Sequence, residues 1–376
     1  MRLFVLSFGH IDPSIDCEGV DVTKPTMDDV ARRAGVSRSL VSLALRGSDR
    51  VSDRSRRAVE RAADDLGYRP NLVARHLASK RTGTIGLIVN DLHNPYFPGI
   101  ADGIKRALDE RGYRLLINSA FLDDDDELTA LDTFVDFRVD GIILAGSRAD
   151  LTRIERAAAT VPVVVASRPA ASAVVDTVNS DDHLGATLAV EHLVALGHRH
   201  ICHIDGGNGA GAALRRQGYE DTMRRHGLTP HVETAAFTEA SGVVAAERAL
   251  GGDRPCTALF AGNDLSALGA IDVIDRRGMR IPHDISVIGY DNTFVAALRH
   301  LSLTTIDQNR QRLGEMAVAA LLERIEDGRT TSTHQVIAPR LVARRTTAPV
   351  GTLGQGDTGQ GDTVSPTPGN GGSPAP

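Results

Sequence analysis

The sequence predicts a small all-α module at the N-terminus, followed by a larger α/β body of doubly wound parallel sheets. Three observations carry that reading. Residues 24–81 hold fourteen Lys and Arg against seven Asp and Glu, a net of +7, which leaves −13 on the rest of a chain whose total is −6. Inside that basic segment, apolar residues recur at helical spacing between capping residues and glycines. From Thr84 onward, short apolar runs alternate with amphipathic stretches, the pattern of strands and crossover helices. The length of 376 residues allows two or three domains, and 41% hydrophobic with 24% charged residues allows a large core. Aromatic residues are only 4% and Trp is absent, so the core must be built from Ala, Val, Leu and Ile.

Composition excludes several classes. Three cysteines, Cys17, Cys202 and Cys256, are too few and too scattered for a disulfide framework, which fits a reducing compartment. No apolar run reaches the roughly 18–20 residues of a membrane span. The opening "MRLFVLSFGHIDPSIDCEGV" makes a poor secretory signal. Residues 1–23 are expected to be a disordered arm or the product of a start codon placed too early. Residues 348–376, rich in Gly, Pro, Thr and Ser, are expected to form a disordered tail. A basic module on an acidic body is the footprint of a nucleic-acid reader joined to something else.

The module's helices have local signals. Thr26 caps the first, with Asp28 and Asp29 in its first turn and Val30, Ala31 and Ala34 on its apolar face. Gly35 ends it. Ser37 caps the second, in which Val41, Ala44 and Leu45 share a face with the preceding Val36. Ser52 caps a third, with Val59, Ala62 or Ala63, and Leu66 inward, and Pro70 forbids its continuation. Two short helices joined by "AGVS" describe a helix-turn-helix, whose second helix enters the major groove.

The stretch "TMDDVARRAGVSRSLVSLALRGSDRVSDRSRRAVERAADDLGYRPNLVARHLASKRTGTIGLIV" resembles the N-terminus of the lactose-repressor (LacI/GalR) transcription regulators. The resemblance runs on through "NPYF", "VDGIIL", "HLVALGHRHI", "GNDLSALGA", "ISVIGYDN" and "LTTIDQN", and covers about residues 24–347. It implies a DNA-binding domain at 24–68, a hinge helix or linker at 69–81, and an effector-binding and dimerisation domain at 82–347. It implies a recognition helix at about 37–45, in which Arg38 and Ser39 read base edges, and Thr26, Ser37 and Ser42 contact phosphates. Leu43 stands where many members carry a polar or basic base reader, so weaker guanine readout is expected there. In the hinge, Leu77 wedges between base pairs from the minor groove, with Asn71, Ala74 and Lys80 among the DNA contacts.

In the body, "TIGLIVND", "YRLLINSA", "VDGIILAG", "VPVVVAS", "HICHIDG", "TALFAGND" and "DISVIGYD" read as buried parallel strands, apolar throughout because helices cover both faces. Their number suits two sheets. Ligands in such folds sit beyond the carboxyl ends of strands. Polar groups gather there: Asn94, Tyr96 and Phe97, Ser167 and Arg168, Asn263 and Asp264, Asp291 and Asn292. Arg215 begins a following helix, and Gln308 lies on a crossover.

The resemblance implies two lobes like those of periplasmic sugar-binding proteins. The first uses about 82–178 and 310–333. The second uses about 179–309 and 334–347, including the final strand, and the chain crosses three times. The family's effector positions match Tyr96, Phe97, Arg215, Asn263, Asp291 and Gln308, and Arg168 joins them as a candidate. Rings that cover a CH face, and planar polar groups that bridge hydroxyls, suit a sugar or sugar derivative. Ser167 stands where several members carry an acidic residue.

Rival readings are weaker. Gly207, Gly209 and Ala212 satisfy a dinucleotide fingerprint, but mid-chain, with Glu233 as the acidic partner. His192, His198, His200 and His203 invite a metal, but no carboxylate completes a set. "DDDD" at 123–126 reads as a helix start. A transport binding protein would fit the body but not the basic module. The sequence therefore predicts a cytoplasmic, nucleoid-associated transcription regulator, most simply a repressor. It is expected to bind double-stranded, near-palindromic operator DNA as a homodimer and to respond to a small effector. No enzyme activity, cofactor, metal or membrane contact is expected, and no tetramer through the tail.

Overall fold

The computed structural model describes residues 25–45, 48–69, 81–120, 123–252 and 256–350. The expectations for the N-terminal arm, for Asn71, Ala74, Leu77 and Lys80 in the hinge, and for the tail beyond 350 lie outside the described residues. The chain divides into two compact units, Met1–Lys80 and Arg81–Pro376.

The first unit contains three helices: α1 (Met27–Ala34), α2 (Arg38–Leu45) and α3 (Asp53–Leu66). Thr26 caps α1 through a reciprocal box with Asp29, and Gly35 closes it at φ 65°. Ser37 Oγ accepts from Leu40 N (3.2 Å) at the start of α2, and Ser52 caps α3. Val30, Val41 and Val59, all fully buried, join the three helices at one centre, with Ala31, Ala44, Ala62 and Ala63 around them.

The second unit holds two six-stranded sheets. The first is built from β1 (Thr84–Val89), β2 (Arg114–Ser119), β3 (Gly141–Ala145), β4 (Val163–Ala166), β5 (Asp176–Ser180) and β11 (His334–Ile337), in the order β11-β5-β4-β3-β1-β2. The second uses β6 (Ile201–Ile204), β7 (His231–Glu233), β8 (Ala258–Ala261), β9 (Ser286–Tyr290), β10 (Thr304–Asp307) and β12 (Arg340–Val342), in the order β12-β10-β9-β8-β6-β7. All described pairings are parallel except β10 with β12. Both sheets reverse strand order beside their first strand, which opens a crevice at that switch point.

Helices cover both faces of each sheet. On the first lie α4 (Tyr96–Asp109) and α11 (Arg310–Glu326) on one side, and α5 (Asp124–Asp136) and α6 (Leu151–Ala158) on the other. On the second lie α7 (Asp182–Ala195) with α8 (Ala212–Arg225), and α9 (Glu239–Gly251) with α10 (Asp264–Arg276). The α4–α11 contact is close because it is built on glycine: a Cβ on Gly103 would strike the Gln311 backbone, and one on Gly314 the Ile100 carbonyl. Asp176 on β5, fully buried, accepts from Arg324 and Arg329 and from Thr333 N, which ties α11 and the approach to β11 onto the first sheet.

The chain crosses between lobes after β5, after β10 and after β11. Three expectations need correction. The final stretch does not belong wholly to the second lobe: β11 pairs with β5 in the first sheet, and only β12 joins the second. Residues 348–350 are not part of a loose tail, because Ala348 O accepts from His198 Nε2 (3.1 Å) and Val350 N donates to Leu196 O (2.9 Å). And β2 is not buried on both faces: it is an edge strand, with Leu116 41% and Ile117 50% exposed. The strands β5, β7 and β10 present no apolar run in the sequence. Asp176, Thr177 and Asn179, the mixed HVE of β7, and Thr304, Thr305 and Asp307 break the apolar pattern.

Candidate functional site

In the first unit, Ser37, Arg38 and Ser39 are exposed on the first turn of α2, and Ser42 and Leu43 are half-buried one turn later. Arg38 reaches Asp28 at 3.4 Å, an ion pair between two side chains more than half exposed, and such pairs hold weakly. Thr26 is exposed, but its hydroxyl donates to Asp29 Oδ2 (2.7 Å). Leu43 packs against the module's core. Its carbon surface is therefore partly spent on folding, while Leu40, also half-buried, lies outside that cluster.

In the second unit, a cleft of about 450 Å³ lies between the lobes at the carboxyl ends of the strands. The first lobe contributes Asn90, Asn94, Tyr96 and Phe97 from the segment after β1, Gly146 and Arg148 after β3, and Ser167 after β4. The second contributes the loop 206–210 after β6, Arg215 on α8, residues 234–238 after β7, Asn263 after β8 and Asp291 after β9. Of the anticipated residues, Tyr96, Phe97, Arg215, Asn263 and Asp291 line this cleft.

Local chemistry fixes each of them. Asn94 Oδ1 accepts from Tyr96 N (3.0 Å) at the start of α4. Gly146, at φ 70°, lets the Phe97 ring lie against the backbone, where a Cβ would collide. Asn263 caps α10 by accepting from Ser266 N (2.8 Å), and its amide donates to Phe237 O (3.1 Å). Ser167, Asp291 and Asn292 sit at φ 62°, 114° and 50°, backbone values that non-glycine residues adopt at a cost and that cluster at functional sites.

Arg215 is the electrostatic centre. Its Nε donates to Asp182 Oδ1 (2.8 Å) and its Nη1 to Gly262 O (2.7 Å), with both charged side chains under a tenth exposed. The guanidinium lies 4.0 Å from the Tyr290 ring centroid and 5.0 Å from that of Phe237. Burial, opposed by Arg215, pushes the Asp291 carboxyl up to about 8. Beneath it, burial raises Asp264 to about 6. Asp264 accepts from Thr293 N (2.7 Å) and from the Thr305 hydroxyl (2.7 Å) and does not line the cleft.

Gln308 stands behind the cleft as a bridge. The Tyr96 hydroxyl donates to Gln308 Oε1 (3.2 Å) and lies 2.6 Å from Ser167 Oγ, while Gln308 Nε2 donates to Asp291 Oδ1 (2.6 Å). A chain of four side chains thus joins the lobes along a crossing segment. Arg168 does not line the main cleft. It sits on an adjoining chamber, with Nη1 donating to Ser147 O (3.4 Å) and Ala149 O (2.5 Å). Asn292 is turned to Arg344, which donates to its Oδ1 (2.6 Å).

Sequence reasoning missed Asp182 and Phe237. Asp182 sits in the first turn of a helix, where an acid looks like a dipole partner. Phe237 lies in an irregular loop without a periodic signal; its ring fills the space that a Cβ on Gly206 or Gly209 would need. The glycines of the dinucleotide-like loop therefore serve this packing as well as the cleft wall. Glu233 is occupied by Arg248 (2.7 Å). His192, His198 and His203 bond to Thr347, to Thr257 and Ser286, and to Phe260 O respectively. Asp123 caps α5.

Comparison with known proteins is consistent across both units. Residues 82–345 match the family of periplasmic binding proteins and sugar binding domain of LacI family, and residues 26–71 match the bacterial regulatory proteins, lacI family. The HTH-type transcriptional repressor CytR of Escherichia coli (strain K12) is 33% identical over 330 residues, 86% of this chain and 97% of that protein. Among solved structures, the Lac repressor dimer bound to operator and the anti-inducer ONPF superposes with a TM-score of 0.76 at 30% identity, over 86% of this chain and 99% of that one. The complex of the transcriptional regulator CelR with cellobiose superposes with a TM-score of 0.65 at 31% identity, over the same shares of the two chains.

Proposed function

The chain belongs to the LacI family of bacterial transcription regulators, and from that premise we propose which residues read DNA and which bind the effector. It is a ligand-responsive DNA-binding regulator whose partners are operator DNA, a sugar-like small molecule and a second copy of itself. The base-reading side chains are Arg38 and Ser39, with Leu43 on the same helix and Thr26, Ser37 and Ser42 on phosphates. Arg38 suits a bidentate contact with guanine. Leu77, with Asn71, Ala74 and Lys80, serves the hinge contact in the minor groove.

The effector occupies the interlobe cleft, against Tyr96 and Phe97 of one lobe and Arg215, Asn263, Asp291 and Phe237 of the other. The observation that carries this is the gathering of aromatic and planar polar side chains from both lobes around one crevice. Ligand there changes the relative stability of open and closed lobes, and only such a differential affinity can change operator binding. The second copy covers exposed apolar surface, of which Leu116 and Ile117 on the β2 edge are candidates. The protein acts without catalysis, in the cytoplasm; no helix among the described residues is long and apolar enough to cross a membrane.

The test is a titration of selected operator DNA by fluorescence anisotropy, with and without a panel of sugars. Phe237→Ala removes a ring that lines the cleft from a surface loop. It is expected to weaken the effector response about tenfold or more and to leave operator affinity without effector unchanged. An unchanged effector titration refutes the cleft assignment.

A further inference from the structure

Asp205 follows β6, is only 4% exposed and does not itself line the cleft. One of its carboxylate oxygens, Oδ1, accepts from Gly207 N (3.0 Å) and from Ala235 N (3.1 Å). The first donor belongs to the glycine-rich loop 206–210 and the second to the loop 234–238, and both loops line the cleft. The other oxygen, Oδ2, has only long contacts, to Arg216 Nη1 at 3.4 Å and to the Thr234 hydroxyl at 3.5 Å. Resting on the reading of the main cleft as the effector site, we propose that Asp205 is a positioning residue for effector selection. Its Oδ1 clamps the two loops into one wall and thereby fixes the Phe237 ring in the cleft.

The two loops are shaped to lie together. Asp205 N donates to Glu233 O (3.0 Å), which carries the pairing of β6 with β7 up to the clamp. Gly207 stands at φ 56°, and a Cβ there would come within 3.0 Å of Ala235 O. The Phe237 ring lies against Gly206, Gly209 and Gly262. Glycines that mimic a dinucleotide fingerprint thus admit a neighbouring loop's carbonyl and ring. From its other side the second loop is held by Ser266 Oγ, which donates to Ala236 O (3.3 Å), and by Asn263 Nδ2, which donates to Phe237 O (3.1 Å). Thr238 then caps α9. Asp205 supplies the first of these ties. Without it two N–H groups lose their acceptor, and a ligand must order the loops as it binds, which weakens binding. The charge of Asp205 matters less, because Arg216 is half exposed and is also held by Glu220 at 2.8 Å. An amide oxygen at this position can accept from the same two donors.

The experiment is calorimetric titration of the full chain with free aldohexoses, aldopentoses and their disaccharides, the tightest binder serving as probe. It is repeated with Asp205→Ala, Asp205→Asn, Phe237→Ala and the double variant of Asp205→Ala with Phe237→Ala. Operator affinity without sugar, read by fluorescence anisotropy, checks that each variant is folded. Asp205→Ser, too short to reach both N–H groups, takes the place of Asp205→Ala should that variant not fold. Asp205→Ala is expected to weaken the probe about tenfold or more and to narrow its advantage over its epimers. Asp205→Asn is expected to stay within about threefold of the wild type, because it keeps the acceptor. In the Phe237→Ala background the loss from Asp205→Ala is expected to shrink below about threefold, since the ring it positions is gone. Wild-type affinity in Asp205→Ala overturns the proposal. An Asp205→Asn as weak as Asp205→Ala also overturns it, by assigning the effect to charge. Losses that multiply in the double variant overturn it as well, because they mark general damage to the lobe. Any of these outcomes, with the probe still lost in Phe237→Ala, leaves the sugar-effector reading standing; a panel in which nothing binds removes both.

Discussion

Arg215 illustrates how a ligand-contact residue and a folding residue coincide, and a mutant cycle separates the two roles. The guanidinium and the Asp182 carboxylate are both buried, 2.8 Å apart, with Tyr290 OH donating to the same carboxylate oxygen at 3.2 Å. Arg215→Met alone leaves a buried carboxylate without its countercharge, which costs about 3–5 kcal/mol. Against a total stability of about 5–15 kcal/mol, that brings the body close to unfolding. Asp182→Asn alone strands the guanidinium on one carbonyl and two rings, with a cost of the same order. The double variant removes both charges together, and its cost is expected to fall short of the sum by about 2 kcal/mol or more. Urea unfolding followed by far-UV circular dichroism gives the three values. All three variants should lose the effector response, and the double variant should keep operator affinity. Costs that add to within about 0.5 kcal/mol refute the coupled pair. A stable, fully responsive Arg215→Met removes Arg215 from the pocket altogether.

Asp176 makes a second buried carboxylate testable: burial opposes its ionisation, but Arg324 and Arg329 outweigh this and hold it at about 2, below the ordinary 3.8. The depressed value contributes about 2 kcal/mol, present above about pH 4 and lost as pH falls through 2. Asp176→Asn should remove at least that much at neutral pH in the same unfolding assay. Asp291 has the opposite sign: its carboxyl is raised to about 8, so its contribution is present below about pH 4 and lost as pH rises through 8. Asp291→Asn should flatten the fall of the thermal midpoint across that window; a slope that persists above pH 6, beyond the range of Asp264 at about 6, would count against it. In the first unit, Arg38→Ala should cost about 1–3 kcal/mol on the selected operator and relax one base position, read by binding-site selection. Leu43→Ala should cost about 2 kcal/mol of module stability. If the operator shows a strict guanine opposite Leu43 that this change leaves intact, the predicted weak readout there is wrong.

Much of this was legible in the sequence because local chemistry and global fold agree. Thr26 with Asp29, Gly35, and Ser52 fix the module's helix ends, and the apolar runs of β1, β3, β4, β6, β8 and β9 become buried strands. Five of the seven anticipated effector residues line one cleft because they follow strand ends, where topology leaves a crevice. Less legible were features that depend on partners far along the chain. β11 and β12 lie three residues apart yet join different sheets, which no run of hydropathy encodes. Asp182 faces a guanidinium 33 positions away. Arg168 and Gln308 are expected from the resemblance to bind the effector, but neither lines the main cleft: packing puts Arg168 on a side chamber and Gln308 in the wall behind.

The chain from Ser167 through Tyr96 and Gln308 to Asp291 has a consequence for how such a protein acquires a new effector. These four groups are hydrogen-bonded to one another in a row. Ser167, Tyr96 and Asp291 line the cleft with Gln308 behind them, and together they work as a resident understudy: a visiting hydroxyl that bonds to one of the three competes with a bond made within the protein. A newcomer is therefore weighed against the understudy and not against water. Its advantage needs only to exceed a few exchanged hydrogen bonds, each worth about 1 kcal/mol net. Substitutions that weaken the understudy, such as Tyr96→Phe, would widen the range of molecules able to replace it, and would do so without building a single new contact to any of them.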